Sequence, residues 1–426
     1  MKKLLVLPLV ALAVFGLSAC TGGGTPEASG TPEVLIWVDS VREPAAKAYK
    51  ESVSGEVDVD IEVVDTTELQ SKISLFNTTG SGWPDVVFAG APNDIAAWAE
   101  PSNGYAANLT ELVDQKVFDD YEGANDWCLI DGKMYCLKND LAQSVLWYDT
   151  TVFEQLGLTV PTTMEEFAAE AMKLEGTGYV AGAIGDANFY ASYLWPSGCP
   201  MSTVTAPNEV LIDPDAPECK RVAELVQPLV DAGVLDTRSS FDASFLSDVA
   251  QAGNVAMSFG PSWFGEFVIR PESSWGIPAG HMTAAPMPIW DGADVNYSGE
   301  WGGGIWAVSS HAEFPDAAAD AAVYMATSPD IAKDSVTFPG SKPAYEAWAA
   351  RVSGDAYYAA DPVPAMIEQA SRINTTEHPV RFDISGQVNS VLQTELNAGA
   401  PVDEAIRKFQ ESLIQLAPGS GYTVVE

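Results

Sequence analysis

Residues 33–38 (Glu-Val-Leu-Ile-Trp-Val) are a short apolar run that stops at Asp39-Ser40, which predicts a buried strand. Val57, Val59, Ile61 and Val63 alternate with Asp58, Asp60 and Glu62, the period-two pattern of a strand with one face in water. Residues 85–89 (Asp-Val-Val-Phe-Ala) predict a third strand, entered from the turn Gly80-Ser81-Gly82-Trp83-Pro84. Helices fall between and after these strands. Thr162 and Thr163 are followed three residues later by Glu165 and Glu166 respectively, a spacing that lets hydroxyl and carboxylate cap each other's backbone N–H at a helix start. Met164, Phe167, Ala168, Ala171 and Leu174 then share one apolar face, as do Val402, Ala405, Ile406, Phe409, Leu413 and Leu416 near the C-terminus. Strands alternating with helices predict an α/β protein. Trp37, Trp147 and Trp306 lie inside apolar strand patterns, and Trp98 and Trp348 on helix faces, so all are expected in the core.

The N-terminus has a different pattern. Lys2 and Lys3 precede an apolar run over residues 4–17, interrupted by Pro8. A membrane span needs about 20 apolar residues, so this run reads as the hydrophobic region of a signal peptide, residues 1–19. It ends in Leu17-Ser18-Ala19-Cys20, which resembles a bacterial lipobox. On that reading Cys20 is lipidated and becomes the mature N-terminus. Residues 20–32, rich in Gly and Thr, form a flexible tether, and the protein is held on the outer face of the cytoplasmic membrane. The competing reading is an ordinary cleavage site with an incidental cysteine.

Composition narrows the chemistry. The 426 residues carry 59 Asp and Glu against 21 Lys and Arg, a formal charge of −38. Nucleic acid is excluded as a partner, because a phosphate backbone calls for a basic stripe, and an anionic ligand is disfavoured. Twelve Trp residues are a high count, suited to gripping uncharged polyols or cations. Beyond the signal, Cys128, Cys136, Cys199 and Cys219 read as disulfides in an exported chain. Four cysteines allow three pairings, of which the local one (128 with 136, 199 with 219) is simplest. Zinc is the alternative, but no Cys-x-x-Cys occurs and the three His are distant in sequence. Neither a metal nor another cofactor is expected. The chain has no Gly-x-Ser-x-Gly elbow, Walker loop or His-Glu-x-x-His, so no enzyme is expected. A glycosidase needs only two carboxylates and is not excluded on this ground.

Five segments, in order, resemble one family: the extracellular solute-binding proteins of ABC importers, in the class of maltose-binding protein. The first is Gly82-Trp83-Pro84-Asp85-Val86-Val87-Phe88. The second is spread over Gly132-Lys133-Met134-Tyr135, Leu146-Trp147-Tyr148-Asp149, Phe153-Glu154-Gln155-Leu156-Gly157-Leu158, Pro161-Thr162-Thr163 and Glu166-Phe167. The third is Gly253-Asn254-Val255-Ala256-Met257 with Gly260-Pro261-Ser262-Trp263. The fourth is Gly302-Gly303-Gly304-Ile305-Trp306-Ala307-Val308-Ser309, followed by Pro315-Asp316-Ala317-Ala318. The fifth is Asn397-Ala398-Gly399 leading into the last amphipathic helix. The resemblance runs from about residue 33 to the end. The two cysteine pairs lie outside the family pattern, and Tyr148-Asp149 stands where the family carries Tyr-Asn.

The resemblance implies a two-lobe periplasmic-binding-protein fold of type II, with strands crossing between lobes and a ligand cleft that closes by hinge motion. Lobe one would take residues 33–143 and 302–352, and lobe two residues 144–301 and 353–426. The implied function is capture of a neutral carbohydrate, an oligosaccharide, by a monomer that delivers it to an ABC permease. A cationic ligand such as a quaternary ammonium or polyamine is the alternative, and a lipid-anchored glycoside hydrolase is a more distant one. Trp263, which follows the turn Gly260-Pro261-Ser262 and matches an aromatic position of the family, is expected as the main stacking platform. Trp301 precedes three glycines that let backbone approach a ligand, and Glu300 beside it is a candidate acceptor for hydroxyls. Trp195 precedes Pro196-Ser197-Gly198-Cys199. With Phe189 and Tyr190 it lies on one short segment that cannot hide all three rings, so at least one is expected to be exposed. Asp39, Ser40 and Arg42 match the family's first ligand loop. Asp140 is a weaker candidate, since a lone loop Asp more often makes a turn.

Overall fold

The computed structural model describes residues 30–90, 94–100, 104–374, 377 and 379–425. The signal segment, Cys20 and most of the tether lie outside the described residues. Two central sheets are built from β1 (Glu33–Val38), β2 (Asp58–Val63), β3 (Val86–Ala89), β4 (Leu137–Lys138), β5 (Ser144–Asp149), β6 (Met257–Pro261), β7 (Met282–Ala285) and β8 (Ile305–Val308). The first sheet has five strands in the order β2-β1-β3-β8-β4, and the second three in the order β6-β5-β7. β1 runs parallel to β2, from Glu33 opposite Asp58 to Val38 opposite Val63, and parallel to β3. β8 lies antiparallel to β3, and both neighbours of β5 are antiparallel to it. β2 is an edge strand, and its alternation buries only Val59 fully; Val63 is exposed.

Each sheet has its own core. Ile36, Val38, Phe88 and Trp306 pack with Ala318, Ala319, Ala321 and Ala322 of the helix Pro315–Thr327, whose small residues let it lie close on the first sheet. The second sheet packs Leu146, Met257 and Phe259 with Phe167, Tyr193 and Phe409. Trp37, Trp98, Trp147, Trp306 and Trp348 are all buried, as their patterns predict. The helix Val402–Leu416 buries Val402, Ala405, Ile406, Phe409 and Leu413 of its expected stripe, while Leu416 in its last turn is exposed. At the helix Met164–Met172, Thr163 and Glu166 form the reciprocal capping box, and the Thr162 hydroxyl also donates to Glu166 at 2.7 Å. Asp149 accepts N–H bonds from Thr151 and Val152 and caps the helix Thr150–Leu156. Asparagine can serve the same end, which explains why the Asp departs from the family pattern without disturbing the fold. Cys128 bonds Cys136 and Cys199 bonds Cys219, the local pairing.

Three chain segments cross between the sheets. Residues 139–144 lead from β4 to β5, and residues 298–304 return to β8. The two lie side by side: Gln143 bridges Glu300, Ser144 N–H donates to Gly299 O, and Trp301 N–H donates to Ala142 O. The third crossing, Phe338–Pro339, pairs with Asp140–Leu141. It precedes the helix Lys342–Val352, whose Trp348 and Val352 pack into the core around Trp147. The boundary expected at residue 352 therefore falls after a helix that already buries its face with the second sheet. The architecture is a two-lobe α/β fold, and the crossings put both lobes' loops around a common cleft.

Candidate functional site: an aromatic cavity at the crossings

A cavity of about 240 Å³ lies where the crossings, the end of β3 and the C-terminal segment meet. Gly90, Trp127, Tyr190 and Trp195 line it. Glu300, Trp301 and Gly302 contribute from the returning crossing, and Ser385, Val388 and Asn389 from the C-terminal segment. The Trp127 and Trp195 rings are 5.3 Å apart, and Tyr190 is 5.7 Å from Trp195. Trp195 Nε1 donates to Asn374 O at 2.8 Å, which fixes its ring. Burial, with Glu377 adding, holds the Tyr190 phenol well above its usual pKa, so it remains a neutral hydroxyl.

The segment 187–197 explains itself through its backbone. Tyr190–Leu194 is a π-helical turn. In an α-helix, residues five apart point to different faces; the wider π turn brings Tyr190 and Trp195 to the same side. Phe189 points elsewhere, its ring stacked with Tyr193 at 5.5 Å inside the core. The expectation that one of the three rings is exposed fails: Phe189, Tyr190 and Trp195 are 0%, 8% and 4% exposed. The segment is enclosed on all sides, and two of its rings face an internal space where solvent-facing positions were expected.

The remaining expected residues divide. Glu300 lines the cavity, but its carboxylate is committed: Lys138 Nζ donates to Oε2 at 2.7 Å, and the Ala142 N–H to Oε1 at 3.2 Å. Both side chains of the ion pair are 1–2% exposed. Gly303, at φ +82°, is required here, since a Cβ would come within 2.7 Å of Glu300 Oε1 and 2.8 Å of Lys138 Nζ. Trp263 stands at the end of β6, as the turn sequence predicts, but outside the cavity. Its Nε1 donates to Trp301 O at 2.9 Å, and its ring meets the Trp301 ring edge-on at 5.3 Å. Arg42 is held by Asp39 at 3.3 Å and Asp140 at 3.1 Å, and its guanidinium covers Phe88. Asp140 is buried within a short strand rather than placed in a turn, and Ser40 is exposed. None of these four lines the aromatic cavity.

A second cavity of about 330 Å³ adjoins the first through Gly90, Ser385 and Asn389. It is polar, lined by Thr66, Gln70, Asp94, Arg381 and Asp383 among others. Burial first, and the Asp383 carboxylate second, push Asp94 up to about 7. Arg381 is engaged by Glu100 at 2.5 Å.

A model of the bacterial extracellular solute-binding proteins matches residues 37–333. The chain belongs to that family. No curated protein matches it in sequence. Its fold is similar to that of the ABC transporter-associated binding protein from B. animalis subsp. lactis Bl-04, solved with beta-1,6-galactobiose. That match has a TM-score of 0.72 at 22% identity and covers 93% of this chain and all of that one. It is also similar to the galacto-N-biose/lacto-N-biose I-binding protein from Bifidobacterium longum, with a TM-score of 0.77, 16% identity and 93% and 100% coverage. The sugar-binding protein MalE from Xanthomonas citri matches with a TM-score of 0.68 at 16% identity, over 91% of this chain and 98% of that one.

Within this solute-binding protein, Trp127 is the cavity residue that sequence reasoning passed over. It stands beside Cys128, just before the loop that the Cys128–Cys136 disulfide closes. The same signal, a Trp next to a disulfide-held turn, drew attention to Trp195 and was available here. Ser385 and Asn389 carried no signal, since they reach the cavity only through the packing of the C-terminal segment onto the second lobe.

Proposed function

We propose that this solute-binding protein is the lipid-anchored receptor of an ABC importer and that it captures a neutral oligosaccharide in the aromatic cavity. The observation that carries the reading is the cavity wall: four aromatic rings, Trp127, Tyr190, Trp195 and Trp301, and no basic residue. Its one carboxylate, Glu300, is already neutralised by Lys138. Such a wall offers nothing to an anion and no free charge to a cation, but it suits the apolar face of a pyranose. Hydrogen bonds exchanged with water net only about 1 kcal/mol each, so the ring faces leaving water must supply much of the affinity. The Tyr190 hydroxyl, kept neutral by burial, is available to ligand oxygens. The ligands named for two structural relatives, beta-1,6-galactobiose and lacto-N-biose, are of this class.

Ligand filling the cleft holds the lobes together, and the closed form is what a membrane permease distinguishes from the open one. The chain binds as a monomer and performs no chemistry on the sugar. A thermal-shift screen tests the ligand class: neutral oligosaccharides should raise the melting temperature, and choline-like cations should not. A ligand at a hundred times its Kd stabilises by about 2.7 kcal/mol. A shift with cations alone would overturn the reading, as would shorter products on incubation with the sugar. For the anchor, Cys20→Ala should release the protein or leave it unprocessed; a variant that stays membrane-bound at wild-type size would refute lipidation.

A further inference from the structure

Tyr190 and Trp195 come to one side because residues 190–194 take a π turn, in which the Trp195 N–H donates to Tyr190 O, five residues back. At ~3.6 residues per turn, an α-helical register would point the two side chains about 140° apart. Such turns are rare and frequently mark functional sites. Here a chain of buried side chains holds the turn. Asn188 Nδ2 donates to Phe259 O of β6 at 2.7 Å. That carbonyl can only accept, so the amide is oriented, and Asn188 Oδ1 meets the Ser192 hydroxyl at 2.7 Å. Ser192 donates its one proton to that oxygen and therefore accepts from the Ser144 hydroxyl, 2.8 Å away. Ser144 opens β5, and its N–H donates to Ser298 Oγ on the returning crossing at 2.7 Å. All four side chains belong to residues at most 1% exposed, so these bonds are made without competition from solvent. The returning crossing also presses on the turn itself. A Cβ at Gly299 would collide with Ala191 O and come within 2.9 Å of Trp195 Cβ. Ser144, Asn188 and Ser192 do not themselves line the cavity.

We propose that Ser192 is a positioning residue for the ligand: bonded between Ser144 and Asn188, it locks the π register and so holds Tyr190 and Trp195 on the cavity wall. This rests on the reading of the cavity as the carbohydrate site, and it adds what sets that wall. Ser144 and Ser298 belong to the two crossings, so the same bonds keep the wall in place relative to them.

The test combines circular dichroism with calorimetry. The Trp127 and Trp195 indoles, 5.3 Å apart and inclined at 44°, couple as excitons, and their share of the far-ultraviolet couplet is the difference between the wild type and Trp127→Phe. Ser192→Ala should lose more than half of that share. It should also bind β-1,6-galactobiose or maltotetraose, whichever the wild type holds more tightly, about tenfold more weakly, as when aromatic anchors leave a site. Ser144→Ala, which spares the Ser192–Asn188 bond, should show the same changes to a smaller extent, and it carries the comparison if Ser192→Ala does not fold. Thr283→Val removes a buried hydroxyl that donates to Ala360 O at 2.9 Å, outside this network. It should lower stability, keep the couplet and hold affinity within about twofold, which separates positioning from loss of a buried hydrogen bond. If the couplet persists in full in Ser192→Ala, the register does not depend on Ser192 and the proposal falls, with the cavity reading left standing. Loss of the couplet with unchanged affinity refutes both, since rings that turn away without effect do not hold the sugar. A wild type that binds neither sugar overturns the cavity reading and the role given to Ser192 with it.

Discussion

Glu300→Gln removes the counter-charge from a lysine that has almost no contact with water. Lys138 Nζ lies 2.7 Å from Glu300 Oε2 and 3.3 Å from Gly303 O, and its side chain is 1% exposed. Glutamine preserves the shape, and its carbonyl oxygen can still accept the Ala142 N–H. Its amide group, however, cannot accept from the ammonium. At 2.7 Å and an effective dielectric of 20, the lost attraction is about 6 kcal/mol gross. The remaining bond to Gly303 and local relaxation return part of this, and removing one partner of a buried pair costs about 3–5 kcal/mol. With an unfolding entropy of about 2.1 cal/mol/K per residue, the folded chain should melt roughly 4–6 °C lower. Differential scanning calorimetry at pH 7 measures this. Lys138→Met/Glu300→Leu, which removes both charges, should be closer to wild type than Glu300→Gln. The reasoning fails if Glu300→Gln melts within 1 °C of wild type, or if it retains stability and loses only sugar affinity. The latter result would make Glu300 a ligand acceptor, as its sequence position first suggested.

Cys199→Ala/Cys219→Ala opens a bridge spanning 20 residues and should lower stability by about 3 kcal/mol, read by urea denaturation against the wild type kept oxidised. Asp94 titrates at about 7 in the folded state against 3.8 unfolded, so its ionisation destabilises the fold progressively from pH 4 to 7 and fully above that. Asp94→Asn should therefore raise stability by about 2 kcal/mol or more at pH 8, with the gain vanishing near pH 4; a gain that is independent of pH refutes the assignment. Trp301→Ala should weaken binding of the best oligosaccharide by roughly 2 kcal/mol, about thirtyfold, in a calorimetric titration, whereas Trp37→Phe, at a buried indole whose N–H has no partner, should leave affinity within twofold.

The fold was legible because its signals are local. The run at residues 33–38, the alternation at 57–63, the Thr163–Glu166 cap and the C-terminal stripe each depend on neighbours along the chain, and each marks an element that forms, although Val63 and Leu416 are exposed at the ends of their patterns. The third crossing was less so, because Phe338–Pro339 offers only two residues of pairing with Asp140–Leu141. The site was legible in part. Trp195, Tyr190, Trp301 and Glu300 do meet, but which side of a helical segment faces the cavity depends on the π turn at Tyr190–Leu194, a register that no residue type announces. Arg42 shows the opposite limit. Its position after the first strand suggested a ligand contact, while two carboxylates, one of them 98 residues away in sequence, hold its guanidinium.

A crystal structure of the protein with the best-binding neutral oligosaccharide tests the central claim most directly. The account predicts one pyranose enclosed among Trp127, Tyr190, Trp195 and Trp301, with an aromatic ring stacked on its apolar face and the Lys138–Glu300 pair intact. A sugar bound anywhere else, with this cavity filled only by water, would contradict it.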